Sequence, residues 1–186
     1  MKIEDGKGKN GDMSVSAAQR GNVSAKTNPR IFYSSRDDQK AYNAIMDSGF
    51  SAAAGNYVFY LKNTSTTDNI FIKHIEFHSV ENVKWRVYEV TGTAAGGTTI
   101  TPANLNLASG LSSSSVCMGG GATITGLTTV KQIGTHRSQA NSESEMNYEN
   151  ALILGPNKAL AIEYDTGTTG ICEIDLFYHF EPIGFS

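Results

Sequence analysis

His74, Glu76 and His78 stand together in the stretch IKHIEFH, and two imidazoles around a carboxylate are the raw material of a metal site. On a helix His74 and His78 would share a face at i and i+4, as the paired histidines of zinc-dependent hydrolases do; on a strand all three would project from one side. The helical zinc motif places its glutamate directly after the first histidine, whereas Glu76 comes two residues later. On a strand rising about 3.4 Å per residue the two histidines lie about 14 Å apart, too far to share one ion. Only a half-site remains, His74 with Glu76 or Glu76 with His78, and it needs ligands from another strand. Glu173 and Asp175, two apart and close to His179, are the nearest candidates by type. They would equally suit a hard cation, an acid and base pair, or the solvent-facing side of an antiparallel sheet, and the last is the reading adopted.

The other reactive residues assemble nothing further. Cys117 and Cys172 are too few and too widely separated for a disulfide framework or a CxxC metal site, so free thiols are expected. Ser112 to Ser115 fall in a low-complexity stretch with no adjacent base, and no GxSxG, phosphate-loop or kinase signature occurs. Gly119-Gly120-Gly121 lacks the lysine and the following helix of a phosphate cradle. No catalytic residue, no cofactor-binding residue and no metal-ligand set is therefore assigned, no cofactor is expected, and the chain reads as non-enzymatic.

The elements that must position these residues are β-strands. The 186 residues suffice for one core plus some extra chain, and a composition of 18% charged residues with abundant Gly, Ser, Thr and Asn fits a loop-rich β protein better than a helical bundle. Short runs rich in β-formers recur at 56–62, 69–78, 83–91, 97–101, 121–125, 128–135, 150–154, 158–164 and 171–180, which predicts an antiparallel sandwich of nine short strands. Cys172, Ile174, Leu176, Tyr178 and Phe180 alternate with polar neighbours and should face a core, as should Leu160, Ile162 and Tyr164, with Ala159, Ala161 and Glu163 on the opposite face. GPN at 155–157 and DTGTTG at 165–170 supply turns. Trp85 and Tyr88 fall on opposite faces of one strand; Arg86 shares the Tyr88 face and makes it the more interface-like side. The stretches 104–121 and 136–149 read as long polar loops, the first a candidate contact loop.

Residues 1–30 hold too little apolar surface to fold alone and read as an arm. Residues 38–47, DQKAYNAIMD, suit a short helix, although the Tyr and Ile spacing also fits a strand. The expected division is an arm and connecting segment over 1–50 and a β-sandwich domain over 51–186. The first 50 residues carry 8 Lys/Arg against 6 Asp/Glu and the rest 7 against 12, which gives no basic cluster for nucleic acid. No apolar run approaches a membrane span, and MKIEDGKGKNGDM lacks the apolar segment of a secretion signal, so neither nucleic acid nor membrane is an expected partner and synthesis in the cytoplasm is expected.

Three stretches carry a resemblance. DGKGKNGDMSVSAAQRGNVSAKT is similar to a Gly-rich entry segment, YVFYLKNTSTTDNIFIKHIEFHS to a characteristic strand pair, and WRVYEVTGTAAGGTTITPANLNLASG followed by GGGATITGL to a strand and turn found in virion proteins of tailed bacteriophages. The chain thus resembles capsid decoration, head-fibre and other head-associated structural proteins. The resemblance implies a jelly-roll-like sandwich behind an extended N-terminal arm, mounted in many copies on the capsid surface. It further implies the major capsid protein, other virion proteins and copies of itself, as a homotrimer, for partners. The expected role is to bridge and stabilise capsid subunits as a cement protein; a tail or fibre adhesin that binds a host glycan or receptor through the 104–121 and 136–149 loops is the alternative.

Overall fold

The computed structural model describes residues 2–4, 10–12, 34–46, 51–165 and 170–184. Near the N-terminus Lys2–Glu4 (β1) pairs antiparallel with Asn10–Asp12 (β2), and this ribbon joins neither of the larger sheets. The remainder of the expected arm lies outside the described residues, as do positions 166–169 of the expected DTGTTG turn.

The rest is a two-sheet sandwich built from Ala41–Met46 (β3), Ser51–Ala52 (β4), Asn56–Asn63 (β5), Asp68–Ser79 (β6), Val83–Ala95 (β7), Thr98–Ile100 (β8), Ala103–Asn104 (β9), Ser115–Ser138 (β10), Ser144–Leu154 (β11), Ala159–Tyr164 (β12) and Gly170–Pro182 (β13). One sheet runs β5-β12-β7-β10-β8 and the other β11-β6-β13-β3-β9, with β4 beside β13. The eight principal strands, taken in chain order from β3 to β13, pair first with last: β3 with β13, β5 with β12, β6 with β11 and β7 with β10. That is one long hairpin rolled up so that its four antiparallel pairs alternate between two layers, the double Greek-key arrangement of a jelly roll. The contacts β12 to β7 and β13 to β6 then join the pairs within each layer. The all-β, jelly-roll-like expectation is met.

The alternation read from the sequence explains the main core. Cys172, Ile174, Leu176, Tyr178 and Phe180 of β13 face Leu160, Ile162 and Tyr164 of β12 across the interlayer space, joined by Ile70, Ile72, Ile75 and Phe77 of β6 and by Trp85 and Val87 of β7. β12 is buried on both faces. Ala159 and Ala161, expected on the opposite face, belong with Tyr60, Tyr88, Val90 and Ile124 to a second apolar cluster on the far side of the same sheet. Their small side chains leave room for the rings of Tyr57 and Tyr88, which meet edge to face at 6.0 Å. The cover for this cluster is β10, 24 residues long. Its first part pairs with β5 and its second with β7, so β5, β12, β7 and β10 form a closed ladder. Met118, Ile124 and Leu127 come from either side of the bend between those parts and pack on the cluster.

Several boundaries differ from the sequence reading. Residues 41–46 are a strand and belong to the sandwich, so its first strand lies within the segment expected only to connect. Tyr42, Ala44 and Met46 alternate as buried residues there, and the helix option over 38–47 falls because the chain at β3 completes the ladder beside β13. The runs 121–125 and 128–135 are parts of one strand, since the bulges of β10 absorb the glycines that looked like a break. The polar stretches 104–121 and 136–149 shrink for a matching reason. Residues 115–121 and 144–149 are strands, the first rich in Ser and Gly and the second with Glu145, Asn147 and Glu149 turned outward, leaving 105–114 and 139–143 as the connections. The GPN turn stands, with Asn157 at φ 60° and Lys158 N–H donating to Gly155 O at 3.0 Å.

Both cysteines are free and buried. Burial first, and the Glu173 charge second, push the Cys172 thiol up to about 12, and burial likewise raises that of Cys117. A thiol reagent at pH 8 should therefore leave both untouched in the native protein and label them in step with denaturant-induced loss of β circular dichroism. Labelling within minutes in buffer would show that the sandwich opens locally.

Candidate functional site

The outward face of the β6 and β13 layer gathers the residues that first suggested chemistry. Ile75 and Phe77 point into the core, so His74, Glu76 and His78 project from the other side, as a strand requires. They do not converge on one point. His74 Nε2 lies 3.1 Å from Glu76 Oε1, while His78 Nδ1 lies 3.7 Å from Glu173 Oε2 on β13. His179 is fully buried, stacked on Phe71 at 5.4 Å with its Nε2 3.0 Å from Glu181 Oε1, and so is tied into the scaffold away from the half-site. Asp175 is the β13 residue opposite Glu76.

The residue that joins the half-site is Glu145 of β11, opposite Glu76 in the ladder on the other side. The ligating atoms of His74, Glu76 and Glu145 all lie within 4.8 Å of one another. His74 is held from behind by Phe177, ring centroids 4.3 Å apart. Sequence reasoning missed Glu145 because it lay in a stretch taken for a loop, and nothing in the sequence announces the β6 to β11 register.

The serine stretch has a structural employment. Ser113 and Ser115 hydroxyls lie 2.8 and 2.9 Å from Tyr178 Oη, and the Tyr42 hydroxyl donates to Ser112 O at 3.1 Å. Gly119 packs where a Cβ would stand 2.9 Å from the Ile100 side chain, and Gly120 has φ +67°, so the glycine run shapes the bend of β10. Trp85 is sealed in the main core. Tyr88, on the opposite face as expected, is buried too, in the second cluster. Arg86 beside it spans to Asp165 at 2.8 Å and Glu163 at 3.6 Å, so the face read as interface-like is largely covered by the chain itself.

A second surface feature is the connection 105–114. Leu107 is 93% exposed and Leu111 50%, unusual for leucine, yet the loop is firmly anchored. Asn104 Nδ2 donates to Gln39 O at 2.8 Å and to Leu111 O at 3.2 Å, Asn106 Nδ2 to Ser35 O at 3.1 Å, and Leu105 N–H to Ala41 O at 2.8 Å. Every one of these bonds except the Leu111 contact ties the loop to residues 35–41, the segment through which the N-terminal region enters the sandwich.

The fold defines the class: a jelly-roll β-sandwich with an anchored loop of exposed leucines beside residues 35–41. Comparison with protein-family models, with curated proteins and with solved structures returned no match.

Proposed function

We propose that this chain is a non-enzymatic structural protein of a tailed-phage virion, a capsid decoration or cement protein whose arm and sandwich bridge neighbouring capsid subunits. The observation that carries the reading is the bonding of the exposed leucine loop to residues 35–41. A partner that binds the arm meets the loop at the same place, and a loop already fixed loses little entropy on docking. The resemblance of the three sequence stretches to head-associated phage proteins supports the same reading, as does the jelly roll. Aliphatic rather than aromatic side chains at the loop tip favour protein contact over the ring stacking of a glycan-binding adhesin. The protein acts in many copies on the capsid surface, as homotrimers, with avidity between copies strengthening each contact.

The test is occupancy on capsids purified without the protein. The full chain should saturate them; deletion of residues 1–30 should leave the sandwich folded by circular dichroism but abolish binding. Leu107→Asp should weaken binding about tenfold or more with an unchanged melting temperature, because an exposed leucine contributes nothing to the core. Full occupancy by both variants would overturn the reading, and glycan binding without capsid binding would replace it with the adhesin.

A further inference from the structure

We propose that His74, Glu76 and Glu145 bind a divalent transition-metal ion, Zn²⁺ by preference, which fastens the edge strand β11 to β6. The register supplies the first argument. Glu76 stands between Glu145 on β11 and Asp175 on β13, three carboxylates in a row across adjacent strands. Like charges directly opposite one another destabilise a sheet, and among the described residues no lysine or arginine pairs with Glu76 or Glu145. A bound cation resolves that repulsion.

His74 supplies the second argument, independent of the acidic row. The residue is only 9% exposed, and its Nε2 is shut off from solvent without a hydrogen bond of acceptable geometry, even though Glu76 Oε1 is 3.1 Å away. A buried imidazole nitrogen normally makes a well-formed hydrogen bond, and here, among the described residues, the only group within reach is the misaligned Glu76 carboxylate. A metal ion accepts that nitrogen's lone pair without needing hydrogen-bond geometry. The three ligating atoms, all within 4.8 Å of one another, are near the separation of about 3.3 Å that a tetrahedral shell of about 2.0 Å bonds demands. Small rotations of the exposed glutamates close the gap, while Phe177 keeps the imidazole in place.

The donor set selects the ion. One imidazole and two carboxylates balance a divalent charge, and the nitrogen favours a borderline metal over Ca²⁺ or Mg²⁺, which take all-oxygen shells. Water completes the coordination. The consequence is mechanical: the β6 to β11 ladder breaks between Asn147 and Leu152, leaving residues 144–147 as a short outlying paired segment on a sheet edge. An ion held by Glu145 and His74 cross-links that segment to β6, the strand it would otherwise leave most readily.

The experiment uses the full chain stripped with EDTA and titrated with ZnCl₂ by calorimetry. One Zn²⁺ should bind per chain with a Kd of about 10 µM or tighter, and about 1 mM Zn²⁺ should raise the melting temperature by about 5 °C or more. Hydrogen exchange at residues 144–147 should slow, and equal Mg²⁺ or Ca²⁺ should do neither. Glu145→Gln, a change on the exposed surface, should weaken binding by at least about tenfold, as should His74→Gln, whereas His78→Gln should not. No saturable binding below about 1 mM, or binding that survives Glu145→Gln, would overturn the proposal.

Discussion

Replacing Trp85 with alanine should destabilise the sandwich by about 3–5 kcal/mol, a large share of the 5–15 kcal/mol that holds a domain of this kind together. Trp85 is the chain's only tryptophan and is fully buried in the interlayer core. It packs on Phe77 at 5.0 Å and meets Tyr164 edge to face at 5.4 Å, so it joins β6, β7 and β12 across both sheets. Its Nε1–H donates to Ser138 Oγ at 2.8 Å, where β10 ends beside β7. Truncation leaves a cavity that the paired strands cannot close, and strands the buried Ser138 hydroxyl besides. Trp85→Phe separates the two effects, since it keeps most of the ring volume and loses the hydrogen bond, and should cost about 1–3 kcal/mol. Urea unfolding followed by circular dichroism gives both values. Equal costs for the two variants would show that the hydrogen bond, and not the volume, carries Trp85.

A strand is most legible in the sequence where one face is buried and the other is exposed. β13 alternates from Gly170 to Tyr178, and its five inward residues follow from period alone, although His179 on the outward face is buried as well. β12 was placed correctly with its second buried face unnoticed, since alanines on a covered face look the same as alanines on an open one. β10 was the least legible. Its glycines and polar residues read as breaks and loops, whereas the strand uses them to bend around the edge of its own sheet, and such closure depends on pairings between residues far apart in sequence.

The same limit governs the candidate metal site. The strand geometry of His74, Glu76 and His78, and the failure of the two histidines to share a ligand, follow from strand rise alone. By residue type the third ligand belongs on β13, whose polar residues are conspicuous, whereas the register brings in Glu145 from the polar stretch on β11. Residue types limited which chemistry was available; only register decided which carboxylate supplied it. The leucine loop obeyed the opposite logic. Its length alone makes it a candidate contact loop, and Asn104 and Asn106 hold it through bonds to residues 39 and 35.

Gly126→Ala puts the closure of the ladder to the test. Gly126 has φ +76°, and a Cβ there would stand 2.3 Å from Thr93 O, a backbone atom that cannot swing aside. The positive φ alone costs an alanine about 1–2 kcal/mol, and relief of the clash requires the β7 to β10 ribbon to part at its bulge, so a total of at least about 2–3 kcal/mol is expected. Gly55→Ala is the control: its φ is +79° but nothing lies within 4 Å of the added carbon, so only the conformational cost should appear. The extra loss in Gly126→Ala should fall on the second apolar cluster, because the ribbon that carries Leu127 and Ile124 covers it, while Trp85 in the interlayer core keeps its buried fluorescence. Gly92→Ala, whose Cβ would meet Gly126 O at 2.3 Å, strains the same bulge, and the double variant should cost less than the two single costs combined. Hydrogen exchange should then quicken over residues 120–130 ahead of β13. Uniform acceleration across both sheets would mean that the closed ladder and the sandwich unfold as one unit.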